Sequence, residues 1–333
     1  MRSRQIILTE LPQDKLATSH FRMTETAVSA PGEGQVLLRT LYIALDAASR
    51  AWMQGATYRG GLRAGDVMAG MALAEVVETR VPHLAVGDLV FTETGWQTLA
   101  VVSGDTLTKL PRIEPLTHLV SVYGVPGLTA YFGLLEIARP KPGDTVVISA
   151  AAGAVGSIAG QIARIHGCRT VGIAGGAAKC ATLTSTFGFD AAVDYKAGDL
   201  DGALDAACPN GIDVYFDNVG GEVLDACLSQ MVYGGRIACC GAVSQYDTSQ
   251  LRAGPPGVPG LLIIKSLTIR GFLLSDFQEH WEAALADLGT WVALGKLRVV
   301  EDVIEGFEKL PEALVGLMAG ANVGKRMIKV AGH

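Results

Sequence analysis

A strand, a tight glycine turn and the start of a helix follow one another near the middle of the chain. The apolar run Thr145–Ile148 leads into small residues that include Gly153 and Gly156, and an amphipathic segment begins at Ser157. Glycine lets a backbone approach a pyrophosphate, and a helix N-terminus offers free N–H groups and a positive dipole end. A turn that is small for packing alone is the alternative, but the strand before and the helix after favour binding. The residues predicted to face a dinucleotide pyrophosphate are Gly153, Ala154, Val155 and Gly156.

The end of the next strand indicates which dinucleotide is bound. An NAD-binding chain usually presents Asp or Glu to the ribose 2′-hydroxyl about 20 residues past the first glycine. Here the strand Arg169–Ala174 runs into Gly175 and Gly176, and the next charged residue is Lys179. Lys179 could instead be a solvated residue in the first turn of a helix, but a cation there is unfavourable against the helix dipole. A lysine attracts a 2′-phosphate, so the sequence favours NADP(H).

Composition excludes several classes of partner. The chain has 333 residues, a formal net charge of −6 and no basic run, which argues against nucleic acid. No apolar stretch approaches the ~20 residues that span a bilayer, and the N-terminus lacks a signal-peptide core, which predicts a cytoplasmic protein without a membrane partner. The six cysteines are scattered, and the first is Cys168. That pattern favours reduced thiols over disulfides or a zinc cluster.

The hydrophobic periodicity changes along the chain. Residues 1–122 contain short strands between Gly and Pro turns, which predicts a barrel-like domain. Residues 123–297 alternate strands and helices, as in βαβ units with a parallel sheet. Residues 298–333 hold a strand, a helix and a final strand, which we expect to return to the first domain. The fold class predicted is therefore α/β, with a β-barrel domain and a doubly wound parallel sheet.

A set of motifs spread over the chain carries a family resemblance. In chain order they are Gly124-Val-Pro-Gly-Leu-Thr-Ala-Tyr-Phe-Gly, Ala151-Ala-Gly-Ala-Val-Gly-Ser, Lys179, Asp194-Tyr-Lys, Phe216-Asp-Asn-Val-Gly-Gly, Cys240-Gly-Ala-Val-Ser-Gln-Tyr and Gly320-Ala-Asn-Val-Gly-Lys. The chain resembles the zinc-independent medium-chain dehydrogenase/reductases, in the leukotriene B4 dehydrogenase, prostaglandin reductase and curcumin reductase group. The resemblance implies a GroES-like catalytic domain, a Rossmann NADP-binding domain and a homodimer. It also implies NADPH-dependent, metal-free reduction of the C=C bond of a small hydrophobic enone or enal.

The resemblance also implies which residues hold the cofactor. Lys179 and Tyr195 would hold the 2′-phosphate, and Asn218 would meet the ribose or the phosphates. Tyr195 could instead be an aromatic at the rim of the cleft, and Asn218 could form an Asx turn before a helix. The remaining cofactor contacts implied, mostly through backbone atoms near the nicotinamide, are Cys240, Gly241, Ala242, Val243, Ser244, Tyr246, Phe272, Leu273, Leu274 and Asn322.

Tyr246 is the candidate catalytic side chain. Hydride delivery to an enone leaves an enolate, and a hydroxyl donor beside the oxyanion typically lowers that barrier by a few kcal/mol. Tyr246 could also only brace the cofactor loop, because water can protonate the enolate carbon. Tyr58 is a candidate substrate contact at the mouth of the site. Relatives often have a tyrosine where this chain has Ala48, so family substrate contacts there do not carry over.

Zinc relatives need an early cysteine and a Gly-His-Glu segment, because the metal takes thiolate and imidazole ligands. This chain has Gly70-Met-Ala72 at that place, and its isolated His83 and His118 are expected at the surface. Reduction of an activated alkene needs no Lewis acid, since the conjugated carbonyl withdraws the charge. Two alternatives stay open: an NADPH:quinone reductase of the same superfamily, and a non-catalytic NADPH-binding protein. The apolar loop 250–260 is expected to face the substrate.

Overall fold

A computed structural model of the chain describes residues 1–249, 254–255 and 257–330. Its strands are β1 (Arg2–Leu8), β2 (Phe21–Ala27), β3 (Gln35–Ala44), β4 (Met71–Thr79), β5 (Leu89–Glu93), β6 (Leu99–Ser103), β7 (Thr145–Ile148), β8 (Arg169–Ala174), β9 (Ala191–Asp194), β10 (Ile212–Asp217), β11 (Met231–Cys239), β12 (Thr268–Gly271), β13 (Glu301–Glu305) and β14 (Lys325–Lys329). Its α-helices are α1 (Ala48–Ala51), α2 (Val125–Phe132), α3 (Ala154–Ile165), α4 (Ala177–Ser185), α5 (Leu200–Ala207), α6 (Gly221–Gln230), α7 (Val258–Lys265), α8 (Trp281–Ala293) and α9 (Leu310–Met318).

The first sheet system is organised around the long strand β3, which pairs antiparallel with β4, β6 and β14. Strand β14 comes from the C-terminal segment, and its Met327 pairs with Ala44 of β3. A hydrophobic core that includes Trp96, Phe307 and Ile328 joins this sheet to helix α9. The C-terminal segment therefore packs as part of the first domain, although it follows the second domain in the chain.

The second sheet has the strand order β12-β11-β10-β7-β8-β9, and its adjacent strands are parallel. The order reverses between β7 and β10, as in a doubly wound dinucleotide fold. All residues of β7 are buried, because apolar clusters cover the sheet on both faces. Ligands of such sheets bind beyond the carboxyl ends of the strands at the reversal. That edge of the sheet is where the candidate residues were expected.

Two segments differ from the sequence interpretation. Where the sequence predicted only alternating strands and helices, the structure has a 3₁₀-helix at Leu274–His280 directly before α8. Of the loop expected at 250–260, residues 250–253 and 256 lie outside the described residues. Val258–Gly260 belong to the first turn of α7, so the expectation of a loop there was wrong. Pro259 suits the start of a helix because the first turn needs no N–H donor from it.

Candidate active site

The glycine turn lies between β7 and α3, as the sequence predicted. Gly153 is the N-cap of α3, and within the described residues no side chain caps that helix. A Cβ atom on Gly156 would lie 2.5 Å from the backbone oxygen of Ala150, so only glycine lets the helix approach the turn this closely. The turn therefore leaves the first N–H groups of α3 free to face an anion. This cradle fits a pyrophosphate.

The segment that returns to the first domain lies against this turn. The N–H of Gly324 donates to the backbone oxygen of Ala152 at 2.8 Å, and Gly153 and Gly324 form a parallel bridge. The side-chain amide of Asn322 donates to the backbone oxygen of Gly324 at 2.9 Å. Asn322 thus lies beside the predicted pyrophosphate site and shapes the turn that contacts it.

Lys179 is in the first turn of α4, and its ammonium Nζ donates to the backbone oxygen of Gly320 at 2.6 Å. Burial lowers the pKa of Lys179, and the positive charges of Lys196 and Arg326 lower it further. Tyr195 is close by, with its ring centroid 5.8 Å from Nζ of Lys196. These side chains form a positively charged group at the end of β8 and β9, which fits a 2′-phosphate.

The sequence interpretation quoted Asp194 in a motif but gave this acid no role beside the positively charged group. Asp194, the last residue of β9, accepts hydrogen bonds from the N–H groups of Gly176 at 2.8 Å and Lys196 at 3.0 Å. These backbone donors lower the pKa of Asp194, with a smaller contribution from the charge of Lys196. The carboxylate comes from the strand after β8, so a search of the β8 end alone could not find it. Asp194 orders the turn before α4.

Asn218 follows β10 and is buried at the reversal of strand order. Its side-chain amide donates to the backbone oxygen of Ser149 at 2.7 Å, and its backbone N–H donates to the Ser149 hydroxyl at 2.9 Å. The neighbouring Asp217 accepts from the hydroxyl of Tyr215 at 2.7 Å and from the N–H of Gly220 at 2.8 Å. Asn218 therefore joins the ends of β7 and β10. The Asx-type turn in this loop is formed by the preceding residue, Asp217.

The segment Cys240–Tyr246 follows β11 and is fastened to the loop after β10. The N–H groups of Cys240 and Gly241 donate to the backbone oxygen of Asp217, and the Ser244 hydroxyl donates to that of Val219 at 2.7 Å. The phenolic oxygen of Tyr246 accepts a hydrogen bond from the N–H of Ala242 at 3.1 Å. Its own hydroxyl proton is consequently available to donate to another group.

The residues after β12 continue the same edge of the sheet. Phe272 packs edge-on against Phe277, with ring centroids 6.3 Å apart, and a Cβ atom on Gly133 would lie 2.4 Å from its ring. Leu273 is 45% exposed, and Leu274 starts the following 3₁₀-helix. Phe272–Leu274 therefore extend the row of strand ends that starts at the glycine turn.

Tyr58 comes from the first domain and accepts a hydrogen bond from Nε1 of Trp52 at 3.1 Å. Desolvation raises the pKa of Tyr58, the Trp52 hydrogen bond opposes this, and Asp46 and Tyr246 raise it further through their charges. Gln54, on the same segment of the first domain, donates to the backbone oxygen of Gln245 at 3.1 Å, which brings this segment beside Tyr246 of the other domain. Ala48 begins α1 in the same region.

The part of the chain that the structure describes contains no group of three or more His, Cys, Asp or Glu side chains placed to hold a metal ion. At the place of the Gly-His-Glu segment, Gly70 is covered by an indole: a Cβ atom there would lie 2.8 Å from Cδ1 of Trp96. His83 is exposed and His118 is half-buried against Tyr123. Within the described residues, no helix is long and apolar enough to cross a membrane.

Two family models match the chain. Residues 4–110 match a model described as the N-terminal domain of oxidoreductase, and residues 154–290 match one described as zinc-binding dehydrogenase. The NADPH-dependent curcumin reductase of Escherichia coli (strain K12) is 40% identical over 337 residues, which cover 99% of this chain and 98% of that relative. Prostaglandin reductase 1 of Bos taurus is 43% identical over 93% of this chain and 94% of that relative.

The chain belongs to the zinc-independent medium-chain dehydrogenase/reductases. The family resemblance inferred from the motifs is confirmed, and so is the α/β fold class with its GroES-like and Rossmann parts. A solved structure of this family, CurA from Vibrio vulnificus in complex with NADPH, has a TM-score of 0.94 and 37% identity, covering 99% of this chain and 100% of that one. A Pseudomonas syringae quinone oxidoreductase has a TM-score of 0.75 at 22% identity over 98% of this chain and 99% of that one, which shows a shared fold only.

Proposed function

We propose that the protein is an NADPH-dependent reductase of the C=C bond of α,β-unsaturated ketones and aldehydes. One observation carries the proposal: the pyrophosphate cradle, Lys179 and the Tyr246 hydroxyl lie along the same carboxyl edge of one parallel sheet. The names of relatives that are about 40% identical to this chain support the proposal. They include NADPH-dependent curcumin reductase at 40%, prostaglandin reductase 1 at 43% and a 2-alkenal reductase of Nicotiana tabacum at 40%.

NADP(H) is the cofactor of this site. The glycine turn and the N-terminus of α3 would hold its pyrophosphate, and Lys179 with Tyr195 would hold its 2′-phosphate. The segments Cys240–Tyr246 and Phe272–Leu274 would line the nicotinamide side of the cleft. When bound, NADPH supplies a hydride for the β-carbon of the substrate.

Tyr246 stabilises the negative charge that develops on the substrate oxygen. Its phenolic oxygen accepts from the N–H of Ala242, so the hydroxyl proton points to a partner other than that backbone group. A fixed donor beside a developing oxyanion is worth a few kcal/mol of barrier. Tyr58 lies on the first-domain segment whose Gln54 donates to the backbone oxygen of Gln245, and we infer that it contacts the substrate from that domain. The exposed aromatic ring of Tyr58 and the exposed side chain of Leu273 favour a hydrophobic enone or enal.

The test is NADPH consumption by the metal-stripped protein with a hydrophobic enone such as benzylideneacetone, with the product identified. The proposal expects a saturated ketone and much slower turnover with NADH. An allylic alcohol as the product would overturn it, as would turnover of quinones alone. NADPH binding with no turnover of enones, enals or quinones would leave the non-catalytic alternative.

A homodimer is part of the proposal and is supported by one edge of the Rossmann sheet. Strand β12 is the last strand at that edge among the described residues, and helix α7, which precedes β12 in the chain and packs against β11, has no buried residue. Ile263 and Ile264 of α7 are 79% and 74% exposed. An apolar helix next to an open strand edge is a surface that a second copy would cover.

Sedimentation velocity measures this directly. We expect a dimer for the natural chain and a monomer when Ile263 and Ile264 are both replaced by glutamate. Val86→Glu changes an equally exposed apolar residue of the first domain and should leave the dimer intact. A monomeric natural chain would contradict the proposal.

We also propose a division into a GroES-like catalytic domain at 1–122, a Rossmann domain at 123–297 and a C-terminal return at 298–333. The ends of β6 at Ser103 and the starts of α2 at Val125 and β13 at Glu301 support these bounds. A cytoplasmic location completes the proposal, and the six free thiols suit a reducing compartment. Fractionation of cells that express the protein would test the location.

A further inference from the structure

A short strap of the Rossmann domain, residues 245–249, is held by the catalytic domain. The side-chain amide of Gln54 donates to the backbone oxygens of Gln245 at 3.1 Å and Thr248 at 3.3 Å. The N–H of Ser249 donates to a carboxylate oxygen of Asp14 at 3.4 Å. These contacts lie on both sides of Tyr246, so the catalytic domain fixes the backbone that carries this tyrosine.

Arg50 is the centre of this contact and is 0% exposed. Its Nε donates to Oδ1 of Asp247 at 3.0 Å, and its Nη2 donates to the backbone oxygens of Asp14 and Pro12. A guanidinium that bridges a carboxylate and two carbonyls holds all three in a fixed geometry. Arg50 therefore joins the N-terminal segment of the catalytic domain to the strap.

Asp247 is the partner of Arg50 on the strap and the neighbour of Tyr246 in the chain. The same Oδ1 atom that accepts from Arg50 also accepts from the N–H of Leu16 at 2.8 Å. Both donors belong to the catalytic domain. The position of Asp247 is thus set from outside its own domain.

The residues just before the strap are held by the other domain. Cys240 and Gly241 donate to the backbone oxygen of Asp217, and Ser244 donates to that of Val219. The N–H groups of Gln245 and Tyr246 still donate to the backbone oxygens of Ala242 and Val243, whereas the backbone oxygen of Gln245 accepts from Gln54 of the catalytic domain. The change from one set of partners to the other therefore falls at Gln245 and Tyr246, and the phenolic oxygen of Tyr246 accepts from the N–H of Ala242 on the Rossmann side. Its ring consequently bridges the two sets of contacts.

We propose that Arg50 is a positioning residue for the reaction: through Asp247 it sets where the Tyr246 hydroxyl lies in the cleft. The inference rests on the proposed function, in which the Tyr246 hydroxyl donates to the oxyanion that develops on the substrate. A displacement of about 1 Å in such a group can cost about 100-fold in rate. Loss of Arg50 should therefore lower kcat while Tyr246 itself is intact.

The experiment is a double-mutant cycle on enone reduction with the variants Arg50→Met, Tyr246→Phe and the pair together. We expect kcat to fall about 100-fold in Arg50→Met, with a change in KM for NADPH of less than threefold. In the Tyr246→Phe background the same arginine change should cost less than about threefold, because the hydroxyl it positions is already gone. Full additivity would overturn the proposal.

Further variants separate positioning from folding. Arg50→Lys keeps a positive charge and Asp247→Asn keeps an acceptor, so both should retain more kcat than Arg50→Met. Arg236→Met removes a partly buried arginine that pairs with Asp144 at the amino ends of the strands, and its kcat should stay within twofold of the natural chain. An equal kcat loss in Arg236→Met would overturn the proposal.

Hydrogen exchange measured by mass spectrometry gives a readout that does not depend on enone turnover. In Arg50→Met we expect faster exchange in residues 247–249, where the N–H of Ser249 donates to Asp14, and unchanged exchange in 240–246, where the N–H partners lie in the Rossmann domain. Unchanged exchange in 247–249 would overturn the positioning inference even for an active enzyme. If the natural chain does not reduce enones but the strap exchanges faster in the variant, the proposed function fails and the positioning contact stands.

Discussion

Nζ of Lys179 donates a hydrogen bond of 2.6 Å to the backbone oxygen of Gly320, and this contact joins the Rossmann sheet to the returning C-terminal segment. The two residues lie 141 positions apart in the chain. The cation proposed to hold the 2′-phosphate is therefore already engaged by the other domain. When the 2′-phosphate binds, the Lys179 ammonium has to donate to it in addition to the Gly320 oxygen or instead of it. The proposed phosphate site therefore lies where the Rossmann sheet meets the returning C-terminal segment.

Replacement of Lys179 by methionine should make the enzyme discriminate poorly between the two nicotinamide cofactors. A hydrogen bond to a charged group is worth about 1.5–3 kcal/mol, so the KM for NADPH should rise about 10- to 100-fold. The KM for NADH should change little, because NADH lacks the phosphate. Steady-state kinetics with both cofactors measures this. Lys196→Met is the matched control, and we expect a smaller rise for it; a larger one would give the main role to Lys196.

The preference for NADPH should also depend on pH in a defined direction. Burial lowers the pKa of Lys179 below its ordinary value of 10.5, and the nearby Lys196 and Arg326 lower it further. The ammonium is lost as the pH rises through that lowered value, so the affinity for NADPH should fall in alkaline solution. The affinity for NADH should stay level over the same range. Fluorescence titrations from neutral pH to about 10 check this, and a parallel decline for both cofactors would contradict it.

Much of this site follows from local sequence, and the rest depends on contacts that no local pattern records. The turn with Gly153 and Gly156 was predicted because strand, glycines and helix are consecutive. Lys179 was predicted because no acid stands at the end of the strand before it. The role of Asp194 was missed because it reaches the turn from the next strand, and the Arg50–Asp247 contact joins residues 197 positions apart.

Helix α7 was missed for a different reason. Its sequence is rich in Gly and Pro at the start and apolar afterwards, which resembles a loop followed by a buried strand. The structure puts Pro259 in the first helical turn and leaves Ile263 and Ile264 exposed. An exposed apolar helix breaks the amphipathic pattern on which helix prediction depends.

A methyl group at Gly156 should damage the cofactor cradle. Its Cβ atom would lie 2.5 Å from the backbone oxygen of Ala150 and 2.8 Å from the Cα atom of Ala151. Helix α3 would therefore have to move away from the turn. We expect Gly156→Ala to lose about 1–3 kcal/mol of unfolding free energy and to bind NADPH more weakly. Gly289→Ala is the control: it lies inside α8 with open space around it and should gain about 0.4–1 kcal/mol. Urea unfolding and NADPH titration would measure both, and a Gly156→Ala variant as stable as the control contradicts the packing argument.

Replacement of Tyr246 by phenylalanine separates the two interpretations of this residue. If the hydroxyl holds the developing oxyanion, kcat should fall about 100-fold, as for other oxyanion donors. The ring remains, so NADPH affinity should stay within about threefold despite the lost contact with Ala242. Enone kinetics and NADPH titration decide between them. Weak NADPH binding with normal kcat would mean that Tyr246 only braces the cofactor segment.

The cysteine thiols next to the cleft should resist alkylation by the enals that the enzyme is proposed to reduce. Enals alkylate thiolates, and Cys239 and Cys240 lie at the end of β11 beside the nicotinamide segment. Burial raises the pKa of Cys239 to about 11 and that of Cys240 to about 12, with Asp217 adding to both. Near pH 8 the thiolate is thus on the order of one part in a thousand or less at either site.

We expect the folded protein, incubated with an enal and no NADPH near pH 8, to keep its activity and to carry no adduct on these two cysteines. Adduct formation there should rise about tenfold per pH unit toward pH 10, because the thiolate fraction rises by that factor below the pKa. Peptide mass spectrometry reads the adducts, and the same incubation in urea should label all six cysteines as the positive control. Rapid, pH-independent labelling of Cys240 in the folded protein would show that its thiol is not protected by burial.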